Sequence, residues 1–181
     1  MLYKFLSGLA KGVTHCIFRV KVVGKENVPE DGGMILAVNH KSNWDPIFAG
    51  AYCPRPLRFM AKADLFKNKL FGGLIKKLGA FPIQRGRGDI GAIKGAFSIL
   101  KNNDAMLIFP EGHRIKNGKR VKAKLGVSMI AVYAKVPVIP LCISGEYKPF
   151  HKVTVTFGEP ITFEEYYGKK PDNETLQTLA D

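Results

Sequence analysis

Short apolar runs of strand type recur along this chain, at residues 34–38, 105–109 and 136–143, and between them lie longer stretches whose apolar residues repeat at helical spacing. Continuous apolar runs suit strands covered on both faces, as in parallel sheets, and the intervening helices supply the cover. The pattern predicts an α/β fold: a single domain with a mainly parallel sheet flanked by helices. A length of 181 residues suffices for one core and is short for two. Further extended pieces are expected at 20–24, 57–62 and 80–83, and helices at 46–54, 64–78, 90–101 and 123–134, with Asp89 capping the third of these. Gly72 and Gly73 weaken the helix at 64–78 or let something approach its backbone. Residues 153–157 alternate and fit an edge strand, 115–122 read as a polar, basic loop, and after Pro160 the pattern fades into a polar tail with weak helical character.

The first 20 residues fit a helix with two divided faces. At about 100° per residue, Leu2, Phe5, Leu6, Leu9, Ala10, Val13, Cys16, Ile17 and Val20 share one arc, opposite Lys4, Ser7, Lys11, Thr14 and Arg19. Only Phe18 is out of place. The stripe is too interrupted for a membrane span, and Lys11 breaks the apolar region a signal peptide needs. Two readings stay open: a helix packed on the domain's own core, or one lying in a membrane interface with its lysines toward lipid phosphates. The organisation expected is an amphipathic helix at 1–20, membrane-associating in the second reading, and one domain at 21–181.

Charge narrows the partners. Of the 28 Lys and Arg, 17 fall between Arg55 and Lys124, against 4 of the 15 Asp and Glu, so this stretch carries the whole formal excess of +13. Such a surface attracts anionic membranes, phosphorylated substrates or nucleic acid. Nucleic acid is disfavoured because the aromatic residues do not interleave with the basic ones as stacking platforms would. Cys16, Cys53 and Cys142 form no C-x-x-C pair, and the four histidines lack metal-ligand spacing, so neither a disulfide framework nor a metal site is expected.

The chemistry concentrates at 34–48. The strand at 34–38 delivers Asn39 and His40 to its carboxyl end, where open α/β sheets build their sites. Asp45 follows five positions after His40, a spacing that on a regular helix would set the two side chains about 140° apart, so the chain must turn between them. Asp45-Pro46 suits a helix start, with Asp as N-cap and Pro in the first turn. Either Asp45 only caps and His40 is a loop histidine, or Asp45 orients His40 as a base. Lys62, Arg85 and Arg114 all follow strand-like pieces, and if the strands are parallel these cations converge on His40 and suit a phosphate. Each alone reads as a solvated surface cation. Glu111 has the choice of pairing with an arginine or accepting from a substrate hydroxyl, and Gly112 permits close backbone approach.

His40 to Asp45 is an H-x-x-x-x-D pattern, followed in order by Phe81-Pro82-Ile83-Gln84-Arg85-Gly86 and Phe109-Pro110-Glu111-Gly112-His113-Arg114. In that order, from about Val22 to about Pro160, the chain resembles the glycerolipid acyltransferase family typified by lysophosphatidic acid acyltransferase. The resemblance implies that His40 and Asp45 are the catalytic pair and that Lys62 and Arg114 clamp a phosphate with support from Arg85. It implies too that Glu111 and Gly112 help bind the acceptor and that residues 136–140 shape the acyl groove. The implied reaction moves a fatty acyl group from acyl-CoA or acyl carrier protein, as co-substrate, to a lysophospholipid acceptor, with no cofactor. The implied place is the cytoplasmic face of the cell membrane, as a peripheral or monotopic protein on an anionic surface. No serine stands in a G-x-S-x-G elbow, in keeping with direct transfer from an already activated thioester. The family usually has threonine where this chain has His113, which leaves acceptor choice open between 1-acyl-glycerol 3-phosphate, another lysolipid and glycerol 3-phosphate. A non-catalytic binder of anionic lipid is the reading from a different class.

Overall fold

The computed structural model describes residues 2–83, 90–115 and 121–181. Seven strands make one sheet: β1 (Arg19–Val23), β2 (Met34–Val38), β3 (Leu57–Lys62), β4 (Ala80–Ile83), β5 (Ala105–Ile108), β6 (Val138–Gly145) and β7 (Lys152–Phe157), in the order β1-β7-β6-β2-β5-β3-β4. Every neighbouring pair runs parallel except β6 and β7. The mainly parallel α/β sheet expected from the apolar runs is the one found, and its central strand, β2, is wholly apolar.

Among the described residues six α-helices cover the sheet: α1 (Leu2–Ile17), α2 (Asp45–Tyr52), α3 (Lys69–Lys77), α4 (Ile90–Lys101), α5 (Gly126–Ala134) and α6 (Asn173–Ala180). Alternate residues of β2 serve opposite layers: Met34, Leu36 and Val38 pack with α2, β6 and β7 residues, whereas Ile35 packs with Ala96 of α4 and Ile130 of α5. The polar tail closes that second layer through Leu176, buried on α6 and held by the Asp172 cap, whose carboxylate accepts from Thr175 N–H.

Several expectations change. Residues 153–157 are not an edge strand, because β1 takes the edge and β7 lies between it and β6. The alternation of Val153, Val155 and Phe157 reports one buried face of an inner strand, not a free ladder. The segment at 64–78 divides into a 3-10 turn at Ala63–Phe66 and α3, capped by Asn68, whose side chain accepts from Leu70 and Phe71 N–H. Gly72 lets the backbone of Phe66 come so close that a Cβ there would stand 2.8 Å from it. Asp45 is the first residue of α2 rather than its N-cap, which is Trp44 and makes no side-chain cap bond. The expected cap at Asp89 lies outside the described residues.

The amphipathic N-terminal helix is present, and its rotation is informative. Ser7 Oγ donates to Gly50 O at 3.1 Å and Thr14 Oγ1 bonds the Tyr52 hydroxyl at 2.8 Å, so the small polar residues face α2. Leu2, Phe5, Leu9 and Val13 face outward and are exposed. Phe18 breaks the stripe because it lies past the helix end, buried edge-on against Trp44 at 5.3 Å between ring centroids.

Candidate active site

β2 and β5 run side by side, with Ala37 opposite Ile108, so the segments leaving their carboxyl ends meet. His40 comes from the first and Phe109 to Arg114 from the second. The two loops are laced together: Glu111 Oε2 accepts the His40 backbone N–H at 2.6 Å, Ile115 N–H donates to His40 O at 2.8 Å, and Arg114 donates to Asn43 Oδ1 at 2.9 Å. Phe109 stacks on the His40 ring, with centroids 4.0 Å apart and planes at 22°.

The turn demanded by the spacing is built around the Asp45 carboxylate, which has no exposed surface. Its Oδ2 accepts from Lys41 N–H and Ser42 N–H, each at 2.6 Å, and lies 3.0 Å from His40 Nδ1. A carboxylate has lone pairs only, so the proton between it and the ring sits on Nδ1, leaving Nε2 as the acceptor. Oδ1 accepts from the Tyr147 hydroxyl. Burial raises the Tyr147 phenol well above its ordinary value, and the bonded Asp45 charge adds to that, so the phenol stays a donor. The buried charge is therefore spread over four donors, which offsets its desolvation. His40, its side chain 15% exposed, is open enough to meet a substrate.

The other expected residues divide. Glu111 pairs with no arginine among the described residues and instead fastens the His40 backbone; burial holds its carboxyl above the usual value against the pull of that N–H. Gly112 has φ 72°, where a side chain is strained, and an added Cβ would meet the Lys124 chain at 2.6 Å. Arg114 is exposed and anchored to the loop beside His40. Lys62 does end β3, but β5 separates that strand from β2, and its ammonium pairs with Asp64 at 2.6 Å. Arg85 falls outside the described residues. Val138 and Pro140, expected at the acyl groove, line a different cleft of about 600 Å³ that reaches Asn39 and Glu111 and is closed by the α6 end.

An apolar cavity of about 420 Å³ lies instead between α1, α2, β3 and α3, lined by Leu6, Ala10, Phe59, Ala61 and Ile75, and it reaches Asn43 and Pro46 on either side of the Asp45 turn. Its size suits a small-molecule or chain-like ligand. Tyr147 and Lys41 escaped the sequence reading, and Asn39, expected at the strand end, was given no role there. Tyr147 carries no motif. Asn39 bonds Ile143 through both its amide groups, standing in for a strand beyond the end of β2. Lys41 lies 4.6 Å from the Tyr147 ring centroid and donates to Gly145 O, clamping the loop that brings Tyr147 in.

Comparison with known proteins identifies the family. Residues 19–144 match the Acyltransferase family model, a span that includes His40, Asp45 and the 109–114 loop. The chain is 32% identical over 186 residues to 1-acyl-sn-glycerol-3-phosphate acyltransferase of Bacillus subtilis, covering 99% of this chain and 92% of that one. It is 34% identical over 190 residues to the enzyme of that name from Streptococcus pneumoniae, covering 100% and 70%. The crystal structure of the 1-acyl-sn-glycerophosphate (LPA) acyltransferase PlsC from Thermotoga maritima superimposes with a TM-score of 0.77 at 27% identity, over 98% of this chain and 76% of that one. The chain is a member of the acyltransferase family, and it is an enzyme of that family's α/β fold.

Proposed function

We propose that this enzyme transfers a fatty acyl group from an acyl thioester to the free hydroxyl of 1-acyl-glycerol 3-phosphate, giving phosphatidic acid. The observation that carries the reading is the His40–Asp45 pair, with Nδ1 occupied by a buried carboxylate and Nε2 left basic, next to an apolar cavity that reaches the same loop. The names of the similar proteins supply the acceptor.

In this reaction His40 Nε2 takes the proton of the attacking hydroxyl as its oxygen bonds the thioester carbonyl carbon. Asp45 stabilises the imidazolium that forms. The tetrahedral adduct then expels the thiolate, which takes that proton from His40, so the ring ends as it began. General-base assistance of this kind contributes about 10²- to 10⁴-fold. The cavity holds the acyl chain, and Arg114, anchored on Asn43, meets the acceptor phosphate with Lys62 and Arg85 as the further cations. Either acyl-CoA or acyl carrier protein suits as donor to a basic surface, one being phosphorylated and the other acidic. The enzyme works from the cytoplasmic face of the membrane as a peripheral or monotopic protein. That placement is supported by the outward apolar face of α1, and among the described residues no helix is long and apolar enough to cross a membrane.

The test is transfer of radiolabelled acyl chains from both thioesters to lysophosphatidic acid, glycerol 3-phosphate and neutral lysolipids, by the wild type and His40→Ala. Transfer to lysophosphatidic acid, lost in the variant with an unchanged circular-dichroism spectrum, is expected. Wild-type rates in the variant would remove the mechanism, and transfer only to another acceptor would remove the substrate.

A further inference from the structure

The most exposed large apolar side chain in the described structure is on α3, not on α1. Leu70 is 89% exposed, and Phe71 and Leu74 beside it are 47% and 43% exposed. At about 100° per residue, Leu70, Leu74 and Phe71 span an arc of roughly 100° between the buried Ile75 and the lysines. Lys69, Lys76 and Lys77 occupy the next arc and are exposed, with Lys67 just before the helix. A helix serving only to cover β3 and β4 needs Ile75 and Gly72 inward and polar residues elsewhere. This one is divided three ways: a core side, an apolar side turned to solvent, and a cationic side.

The position of that apolar side gives it an occupant. Ile47, Leu65 and Phe71 line the apolar cavity and are at the same time exposed, at 41%, 44% and 47%, so they form its mouth. Tyr3 and Leu6 of α1 line the cavity from the other side, and α1 turns Leu2, Phe5 and Leu9 outward. Two helices, each with apolar residues facing out and lysines flanking them, thus border one apolar opening. An anionic bilayer matches both features: its acyl region takes the leucines and phenylalanines, and its headgroup phosphates take the ammonium groups. Lys67 pairs with Asp64 at 2.8 Å, but Lys69, Lys76 and Lys77 have no acidic partner among the described residues, so a protein partner would have to neutralise all three itself.

We propose that α3 is a second membrane-docking element, inserting Leu70, Phe71 and Leu74 into the leaflet beside α1 while Lys69, Lys76 and Lys77 bind anionic lipid headgroups. The cavity mouth then opens between the two docked helices, at the depth where a lysolipid or product chain resides. This inference rests on the membrane placement proposed for α1 and extends it from a helix ending at Ile17 to one that starts at Lys69.

The experiment measures partitioning of the full chain onto vesicles of phosphatidylcholine with phosphatidylglycerol. Three proteins are compared: wild type, the α3 double variant Leu70→Ser with Leu74→Ser, and the α1 double variant Phe5→Ser with Leu9→Ser. Leu70 and Leu74 line neither cavity, so melting temperature and turnover of a short-chain, water-soluble acceptor stay at wild-type values in the α3 variant, while vesicle partitioning falls about tenfold or more. A tryptophan at position 70, introduced as Leu70→Trp, is expected to be quenched by brominated lipid beyond the level given by Trp44. Wild-type partitioning by the α3 variant, with the α1 variant released, overturns the role of α3 and leaves that of α1. Wild-type partitioning by both removes the membrane placement itself. Lipid-free self-association that the α3 substitutions abolish would assign this face to a second copy of the chain and overturn the proposal.

Discussion

Among the described residues no arginine or lysine side chain bonds the buried Asp45, and its charge is tolerated because two backbone amides, an imidazole and a phenol all donate to it. Tyr147 is the donor that can be removed without disturbing the turn. Tyr147→Phe is expected to cost about 1–3 kcal/mol of stability by leaving Oδ1 unsatisfied, read as a lower melting temperature, and to reduce kcat more than it changes KM. Equal kcat would show that the phenol only fills space. Glu111 makes the complementary case. Its folded-state pKa lies above the ordinary 4.5 because burial outweighs the His40 N–H, so the native state holds its proton to higher pH than the unfolded chain. Its contribution is fully present below the ordinary value and lost as pH rises through the raised one. Glu111→Gln is therefore expected to gain in stability relative to wild type across that rise, checked by denaturant titrations at several pH values. His40, Asp45, Glu111 and Arg114 stood out because strand ends and the ordered motifs of the resembling family mark them together. Tyr147, 102 residues from Asp45, did not: nothing in its own neighbourhood reports that β6 and the loop after it swing it back to β2.

At the scale of elements, α3 carries two adjacent glycines with opposite duties. A Cβ on Gly72 would lie 2.8 Å from the Phe66 backbone, which cannot move aside, whereas one on Gly73 meets nothing within 4 Å. Gly73→Ala is expected to stabilise by about 0.5–1 kcal/mol through helix propensity. Gly72→Ala is expected to destabilise, because an overpacking cost of about 1–3 kcal/mol outweighs the same gain. Thermal melts of the two single variants decide it, and the same sign for both would show that α3 is not seated on the 63–66 turn. Element type was readable from periodicity almost throughout, since a buried strand and an amphipathic helix impose different repeats. What periodicity did not carry was partnership. The Val-Thr alternation of β7 is the same for an edge strand and for an inner one with a single buried face, and the division of residues 64–78 depended on Asn68, whose side chain caps α3 where no apolar residue signals a break.

Taken as a whole, the molecule turns apolar residues of both α1 and α3 to solvent and carries lysines on both helices. Binding to anionic vesicles is expected to weaken as salt rises, because exposed charges more than a Debye length apart, about 10 Å at 0.1 M ionic strength, are screened, while the inserted apolar part persists. Binding indifferent to salt would leave the lysines without a role. The sequence by itself determined the α/β class, the order of most elements, the turn between His40 and Asp45, and the amphipathic start, because each is set by repeats and spacings within a few residues. Only the tertiary structure decided that α1 turns its polar Ser7 and Thr14 inward and its Phe5 outward, that α1, α2, β3 and α3 wall an apolar cavity beside the Asp45 turn, and that Tyr147 completes the Asp45 site. Helix rotation, strand order and cavity walls depend on contacts between segments far apart in the chain, and no local pattern encodes which of two compatible partners a face will meet.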